Sequence, residues 1–253
     1  MNQWGFFFNQ DRCLGCKACM TSCKMWNEER RGDADVYSFN KEDYMVAVGK
    51  GEMRDAYLNP DNNLTNYEEY RKFYMKEEWR RVLSFEKGNV VLKSDNTFGA
   101  ENVYNSYLAM GCNHCDEPAC VAACPAGIIY KEDSMGAVLT NPEACLSCGK
   151  CKEACPWDAP QFYDKDFARY SMDDPKRPKM TKCTFCVDRV TEGLKPMCVA
   201  ACWNRALDAG PVEELKAKYL KKGYTLVDSI PGEFDKDSTD PNIIFQTKQK
   251  WNA

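Results

Sequence analysis

The chain has 253 residues, enough for one large domain or two small ones with cores of their own. Charged residues make up 28% and sum to a formal −4, which argues against a nucleic-acid footprint, and no apolar run reaches the ~18 residues of a membrane helix. Cysteine is the outlier, with 16 residues against a single histidine.

The start, MNQWGFFFNQDRC, lacks the basic n-region and long apolar h-region of a secretory signal and reads as a strand. The expectation is a chain that does not enter a membrane by its own sequence. It leads into CLGCKACMTSC, which holds Cys13, Cys16, Cys19 and Cys23. The long gap to the next cysteine reads as an insertion. Within it, TNYEEYRKFYMKEEWRRV sets Tyr67, Tyr70 and Tyr74 at helical spacing and predicts a helix packed on the cysteine-rich parts. Cys112, Cys115, Cys120 and Cys124 follow. GIIYKEDSMGAVLTNPEAC then alternates into a hairpin turning at Ser134-Met135-Gly136. Cys145, Cys148, Cys151 and Cys155 form the third group, and Cys183, Cys186, Cys198 and Cys202 the fourth. RALDAGPVEELKAKYL predicts a strand, a Gly-Pro break and a solvated helix with Pro211 near its first turn and Glu213 and Glu214 after it. From about 222 onward the turn-rich GEFDKDSTDPN predicts an extended tail over the surface.

Three chemistries compete for four groups of four thiols. Disulfides want an oxidising compartment and usually staple small secreted domains, and nothing here marks independent secretion. A closed, redox-inert zinc site uses two CxxC knuckles, and the fourth group, CTFC then MCVAAC, reads that way in isolation. The first and third groups do not. Their C-x2-C-x2-C-x3-C run is the bacterial ferredoxin spacing, and proline follows at Cys124-Pro125 and Cys155-Pro156. Three thiolates of such a run wrap one cubane, with Gly15 and Gly149 letting backbone N–H groups approach the sulfurs, while the fourth reaches a neighbouring cluster. Four runs thus imply two ferredoxin-like lobes and four [4Fe-4S] clusters. His114, inside GCNHC, reads as a hydrogen-bonding or packing residue beside a cluster rather than a ligand. Lys17, Lys24, Lys150, Lys152 and Lys182 flank cluster cysteines and are candidates to offset cluster charge, with solvated side chains as the plain alternative.

MNQWGFFFNQDRCLGCKACMTSCK, YLAMGCNHCDEPACVAACPAGIIYKE, CLSCGKCKEACPWDAPQF and MTKCTFCVDRVTEGLKPMCVAACWNRALDAGPVEEL, in that order, resemble the dimethyl sulfoxide reductase electron-transfer subunit family. Its members are iron–sulfur subunits that partner molybdenum or tungsten bis-pterin enzymes. The likeness covers residues 1–30 and 104–220. It implies that runs one and four share one lobe and runs two and three the other. The implied ligand sets are Cys13, Cys16, Cys19 with Cys202; Cys183, Cys186, Cys198 with Cys23; Cys112, Cys115, Cys120 with Cys155; and Cys145, Cys148, Cys151 with Cys124. Some relatives carry tryptophan in place of Cys148 and hold a three-iron cluster; with the thiol present, four [4Fe-4S] clusters are implied. Two features depart from the family pattern: Trp203 stands where proline usually follows run four, and the insertion after run one is long.

The expected fold is α+β: two ferredoxin-like double-cluster lobes with an insertion and a C-terminal extension. Residues 1–30 with 176–210 would form the first lobe, 31–103 the insertion, 104–175 the second lobe, and 211–253 the C-terminal helix and tail. The implied role is a non-catalytic electron-transfer subunit of an oxidoreductase complex, with no catalytic residue of its own. It would relay single electrons between a donor, such as a quinol-linked membrane anchor, and the molybdopterin catalytic subunit of an anaerobic reductase. A formate dehydrogenase or hydrogenase-type complex is the alternative parent, and a zinc-binding scaffold the alternative of another class. With no leader read in the sequence, the expected location is the cytoplasm, or the outer face of the membrane after co-export with a partner bearing a twin-arginine signal.

Overall fold

A computed structural model of the chain describes residues 3–27, 78–95, 97–162, 171, 177–230 and 239–247. The run WGFFFN forms strand β1 (Trp4–Asn9) near the middle of a four-stranded sheet. It pairs antiparallel with β8 (Leu207–Pro211) and parallel with β10 (Ile243–Gln246), which in turn pairs with β9 (Leu226–Val227). Strand alternation explains the three phenylalanines. Phe6 and Phe8 join the core that holds the cysteines, whereas Phe7 turns to the other face and stacks on Tyr219 at 3.5 Å between ring centroids.

That other face is covered by a single amphipathic helix (Val212–Lys221), the last among the described residues. Leu215 and Tyr219, four residues apart, are its buried stripe, and burying Leu215 stabilises by roughly 1.5–3 kcal/mol. Glu213 and Glu214 in the first turn and Lys218 and Lys221 in the last complement the helix dipole. The predicted strand, break and helix are all present, with Pro211 as the capping residue. Asp208 ties the layer together, accepting from Lys195 at 2.8 Å and from the Tyr219 hydroxyl at 3.0 Å.

The predicted surface tail does not hold where it is described. β10 lies inside the sheet between β1 and β9, with Phe245 1% exposed, because Ile243, Ile244 and Phe245 are apolar on both faces of a doubly covered strand. Polar residues before it are also buried: Thr239 accepts from the Trp157 indole at 3.0 Å.

The insertion ends in a long hairpin, β2 (Arg81–Leu92) with β3 (Phe98–Met110). Tyr67, Tyr70 and Tyr74 lie outside the described residues, but Arg81 and Val82, the end of the predicted helix, belong to β2. Strand β3 runs continuously across residue 103, the end assigned to the insertion, and delivers Cys112 directly to its site. The predicted turn at Ser134–Gly136 joins β4 (Ile129–Lys131) to β5 (Val138–Thr140). Its tip meets the first strand, where the Trp4 N–H donates to the Met135 carbonyl at 2.8 Å. A short ladder, β6 (Gln161–Phe162) with β7 (Met180–Thr181), leads the chain into run four. Short helices are interleaved with strand pairs that are antiparallel except for β1 with β10, and the fold is α+β.

Candidate iron–sulfur sites

All sixteen thiols are free of disulfides. Each run is built on one local device. The residue before the second cysteine is left-handed in every run: Gly15 (φ 66°), His114 (φ 47°), Ser147 (φ 53°) and Phe185 (φ 58°). This conformation turns the backbone N–H inward. Ser147 N–H reaches Cys145 Sγ at 3.3 Å, Phe185 N–H reaches Cys183 Sγ at 3.4 Å, and Gly15 N–H bonds to Cys13. Gly15 is as expected, and Gly149 (φ 80°) starts the short helix after Cys148. The non-glycine positions were not foreseeable from glycine, and each costs roughly 1–2 kcal/mol of backbone strain.

After each loop a short helix presents the remaining thiols. In run one, α1 (Ala18–Trp26) carries Cys19 and Cys23 one turn apart on its buried face. In run four, Cys198 sits on a helical turn (Met197–Ala200) and Cys202 follows it; the Ala206 N–H reaches Cys202 Sγ at 3.2 Å.

The thiols then gather across the runs. Cys13, Cys16, Cys19 and Cys202 line one cavity together with Phe8 and Val82. Cys23, Cys183, Cys186 and Cys198 line a second with Phe6 and Arg80. Cys112, Cys115, Cys120 and Cys155 line a third with Trp157 and Lys182. Cys151 lies in the field of Cys145, Cys148 and Cys124. These quartets also lie in series. Cys19 and Cys198 lie within electrostatic range of each other, as do Cys183 and Cys112, and Cys120 shares a packed core with Cys145 and Cys151. At the two ends the series is open: Cys16 is exposed beside Leu14, and half-buried Cys148 adjoins exposed Leu146.

The donor set fits cubanes rather than zinc. A four-cysteine zinc site brings all its sulfurs to ~2.3 Å from one ion. Among the described residues no three His, Cys, Asp or Glu side chains converge tightly enough for a single ion; the thiols ring wider cavities instead. Buried donors also await acceptors. His114 Nε2 and Ser147 Oγ, each on a residue beside a cysteine and 0% exposed, have no partner among the described residues. Bound sulfide is such an acceptor.

Burial pushes the thiols of Cys19, Cys115, Cys120 and Cys151 up to about 12, and that of Cys155 to about 11. Without a cation the thiols stay protonated, so iron must displace protons to bind. His114 is held neutral, its affinity for protons lowered by burial first and then by the nearby Lys182 and Arg80. Its Nδ1 accepts from the Val138 N–H at 3.0 Å and its ring packs on Phe185 at 5.0 Å, a hydrogen-bonding and packing role.

Of the five lysines singled out, Lys182 alone is buried, donating to Cys112 Sγ at 3.6 Å and to the carbonyls of Cys183 and Val138. Lys24 pairs with Glu78 at 2.8 Å and Lys152 with Asp158 at 3.1 Å, while Lys17 and Lys150 are exposed. Sequence reasoning missed Arg80 and Arg81, buried at the root of β2. Arg81 bonds the Trp157 carbonyl at 2.7 Å and pairs with Asp158 at 3.3 Å.

Comparison with known proteins agrees with this chemistry. Residues 103–212 match a 4Fe-4S dicluster domain and residues 4–25 a 4Fe-4S binding domain. The protein is 31% identical to the B subunit of the anaerobic dimethyl sulfoxide reductase of Haemophilus influenzae, over 97% of its own length and 90% of that subunit. It belongs to that family. The corresponding B subunit of Escherichia coli is 31% identical over 86% of this protein and 78% of its own length. The formate dehydrogenase-O iron-sulfur subunit of Escherichia coli is 30% identical over 81% of this protein, which spans about half of that subunit (52%). As a family member the protein carries multiple 4Fe-4S clusters and serves electron transfer in a complex with a molybdopterin catalytic subunit. Among the described residues no helix is long and apolar enough to cross a membrane.

Proposed function

We propose that the chain relays single electrons along four [4Fe-4S] clusters in series, between a donor and the catalytic subunit of an anaerobic reductase. The ligand sets are the four quartets Cys13, Cys16, Cys19, Cys202; Cys23, Cys183, Cys186, Cys198; Cys112, Cys115, Cys120, Cys155; and Cys124, Cys145, Cys148, Cys151. The single observation that carries the reading is the serial arrangement of these quartets, each within electrostatic range of or packed in one core with the next, with the first and last reaching the surface at Cys16 and Cys148. When bound, each cluster supplies a one-electron couple. The residues supply the rest: inward N–H groups on the sulfurs, aromatic walls from Phe6, Phe185 and Trp157 that exclude water, and buried cations.

On this reading residues 1–30 with 176–210 form one ferredoxin-like lobe and 104–175 the other. The hairpin ending the 31–103 insertion and the 211–253 extension bridge the two, Arg81 reaching Trp157 and Asp158 and Thr239 accepting from Trp157. The partner is the molybdopterin subunit, with a membrane anchor as the donor's seat. The chain works in the cytoplasm or is carried folded across the membrane on its partner. A formate dehydrogenase-type parent is the second reading, favoured by the 30% identity to such an iron-sulfur subunit.

Mixing the dithionite-reduced chain with its oxidised catalytic subunit tests the role. Reoxidation of all four couples with substrate turnover only in the mixture is expected. Turnover by the chain alone, without molybdenum or tungsten, would refute it.

A further inference from the structure

One buried guanidinium, that of Arg80, lines the cavity of the second quartet and bonds the carbonyl of Ala109, which lines the cavity of the first. Arg80, just before β2, is 2% exposed. Its Cζ lies 4.5 Å over the Phe6 ring, and on another side Gly111 closes in so tightly that a Cβ there would sit 3.1 Å from Cζ. One of its nitrogens donates to the Ala109 carbonyl at 3.3 Å and another to Cys198 Sγ at 3.7 Å. The thiols of Cys198, Cys183, Cys19 and Cys23 all lie close enough to act on its charge; Cys19 belongs to the first quartet and the other three to the second. Among the described residues no carboxylate pairs with Arg80, in contrast to its neighbour Arg81, which has Asp158. A buried permanent cation with no counter-anion is strongly destabilising. The missing anions are on the cysteine side.

We infer that Arg80 is the common counter-cation of the clusters held by the first two quartets and raises both reduction potentials together. The inference rests on the ligand sets proposed above. Four thiolates around a cubane leave a net negative charge, and accepting one electron adds another, so a fixed cation beside both clusters favours the reduced form of each. Arginine suits the position because it keeps its charge when buried, and its flat fork lies on Phe6 while reaching Ala109 and Cys198 at once. A single cation at the junction moves two couples in the same direction. A shift common to both leaves the step between them little changed.

The test compares full chains carrying Arg80→Met, Arg80→Gln and Arg80→Lys, loaded anaerobically, with iron analysis before EPR-monitored redox titration. In the neutral variants two of the four couples should lose at least tenfold in reduced-to-oxidised ratio at fixed potential, which is 59 mV for a one-electron couple. The other two couples should hold, and Arg80→Lys should recover most of the loss. A loaded neutral variant with all four couples unmoved, or with one moving alone, would overturn the inference. If the neutral variants fail to hold two clusters and Arg80→Lys holds all four, charge is the requirement and the inference stands. Loss of the same two clusters in Arg80→Lys would make the role one of packing, and the inference falls. Fewer than four couples in the unsubstituted chain would sink the ligand sets themselves, a failure distinct from that of Arg80.

Discussion

Replacing Gly15 by alanine should loosen one cluster and leave the other three in place. Gly15 is left-handed (φ 66°), and a Cβ on it would sit 2.3–2.6 Å from three ring carbons of Tyr107 on β3. An alanine in that conformation costs roughly 1–2 kcal/mol, and forcing the Tyr107 ring aside adds roughly 1–3 kcal/mol of overpacking. The sum, about 2–5 kcal/mol, falls on the loop whose N–H bonds to Cys13. If opening the loop relieves that strain, iron should leave the first quartet roughly 30- to 4,000-fold faster, at tenfold per 1.4 kcal/mol. The assay is anaerobic release of iron to a ferrous chelator. A fast phase carrying one quarter of the iron is expected in Gly15→Ala, and the double variant with Tyr107→Leu should recover the overpacking part but not the backbone part. Unchanged release in Gly15→Ala, or no recovery in the double variant, would refute the packing of the hairpin on run one.

Cys202→Ser should disturb the cluster of Cys13, Cys16 and Cys19, and damage confined to that of Cys183 and Cys186 in site-resolved spectra would break the crossed ligation. Lys182→Met removes the charge donated to Cys112 Sγ and should lower one couple by roughly 50–100 mV, equivalent to about 1–2 kcal/mol per electron, in a redox titration. Burial pushes the Asp208 carboxyl up, yet hydrogen bonds from Lys195 and Lys218 hold it at about 2. That is below its unfolded value of about 3.9, so its contribution is complete above that pH and is lost only as pH falls through about 2. Lys195 and Lys218 are about half exposed, and screening leaves on the order of 1 kcal/mol. Asp208→Asn should thus lower thermal stability equally at pH 6 and pH 8, and a deficit that changes across that range would contradict the assignment.

What could be read in the sequence divides along physical lines. Ligand chemistry resides in residue type and local spacing, so CLGCKACMTSC and CLSCGKCKEAC pointed to cubanes before any fold was known. Local pattern was also enough for β1, for the hairpin at Ser134–Gly136 and for the strand and helix around Pro211. Long-range decisions were not legible. β10 follows a polar, turn-rich stretch, and only pairing with β1 makes Ile243, Ile244 and Phe245 a buried strand. Arg80 sits in a charge-rich stretch that reads as a helix packed on the cysteine-rich parts, which does not single it out, and its burial depends on Phe6, Gly111 and the thiols of runs one and four meeting around it. Left-handed Phe185 and Ser147 carry no sequence mark, because a cysteine sulfur rather than a glycine stabilises their turn.

The central claim is that one chain holds four one-electron couples of the iron–sulfur type. Counting iron, sulfide and electrons on the same anaerobic sample tests it most directly. Four clusters of four irons predict sixteen irons and sixteen sulfides per chain, with four electrons taken up in a reductive titration. Stoichiometric zinc with little iron, or a loaded chain that accepts no electrons, would contradict it.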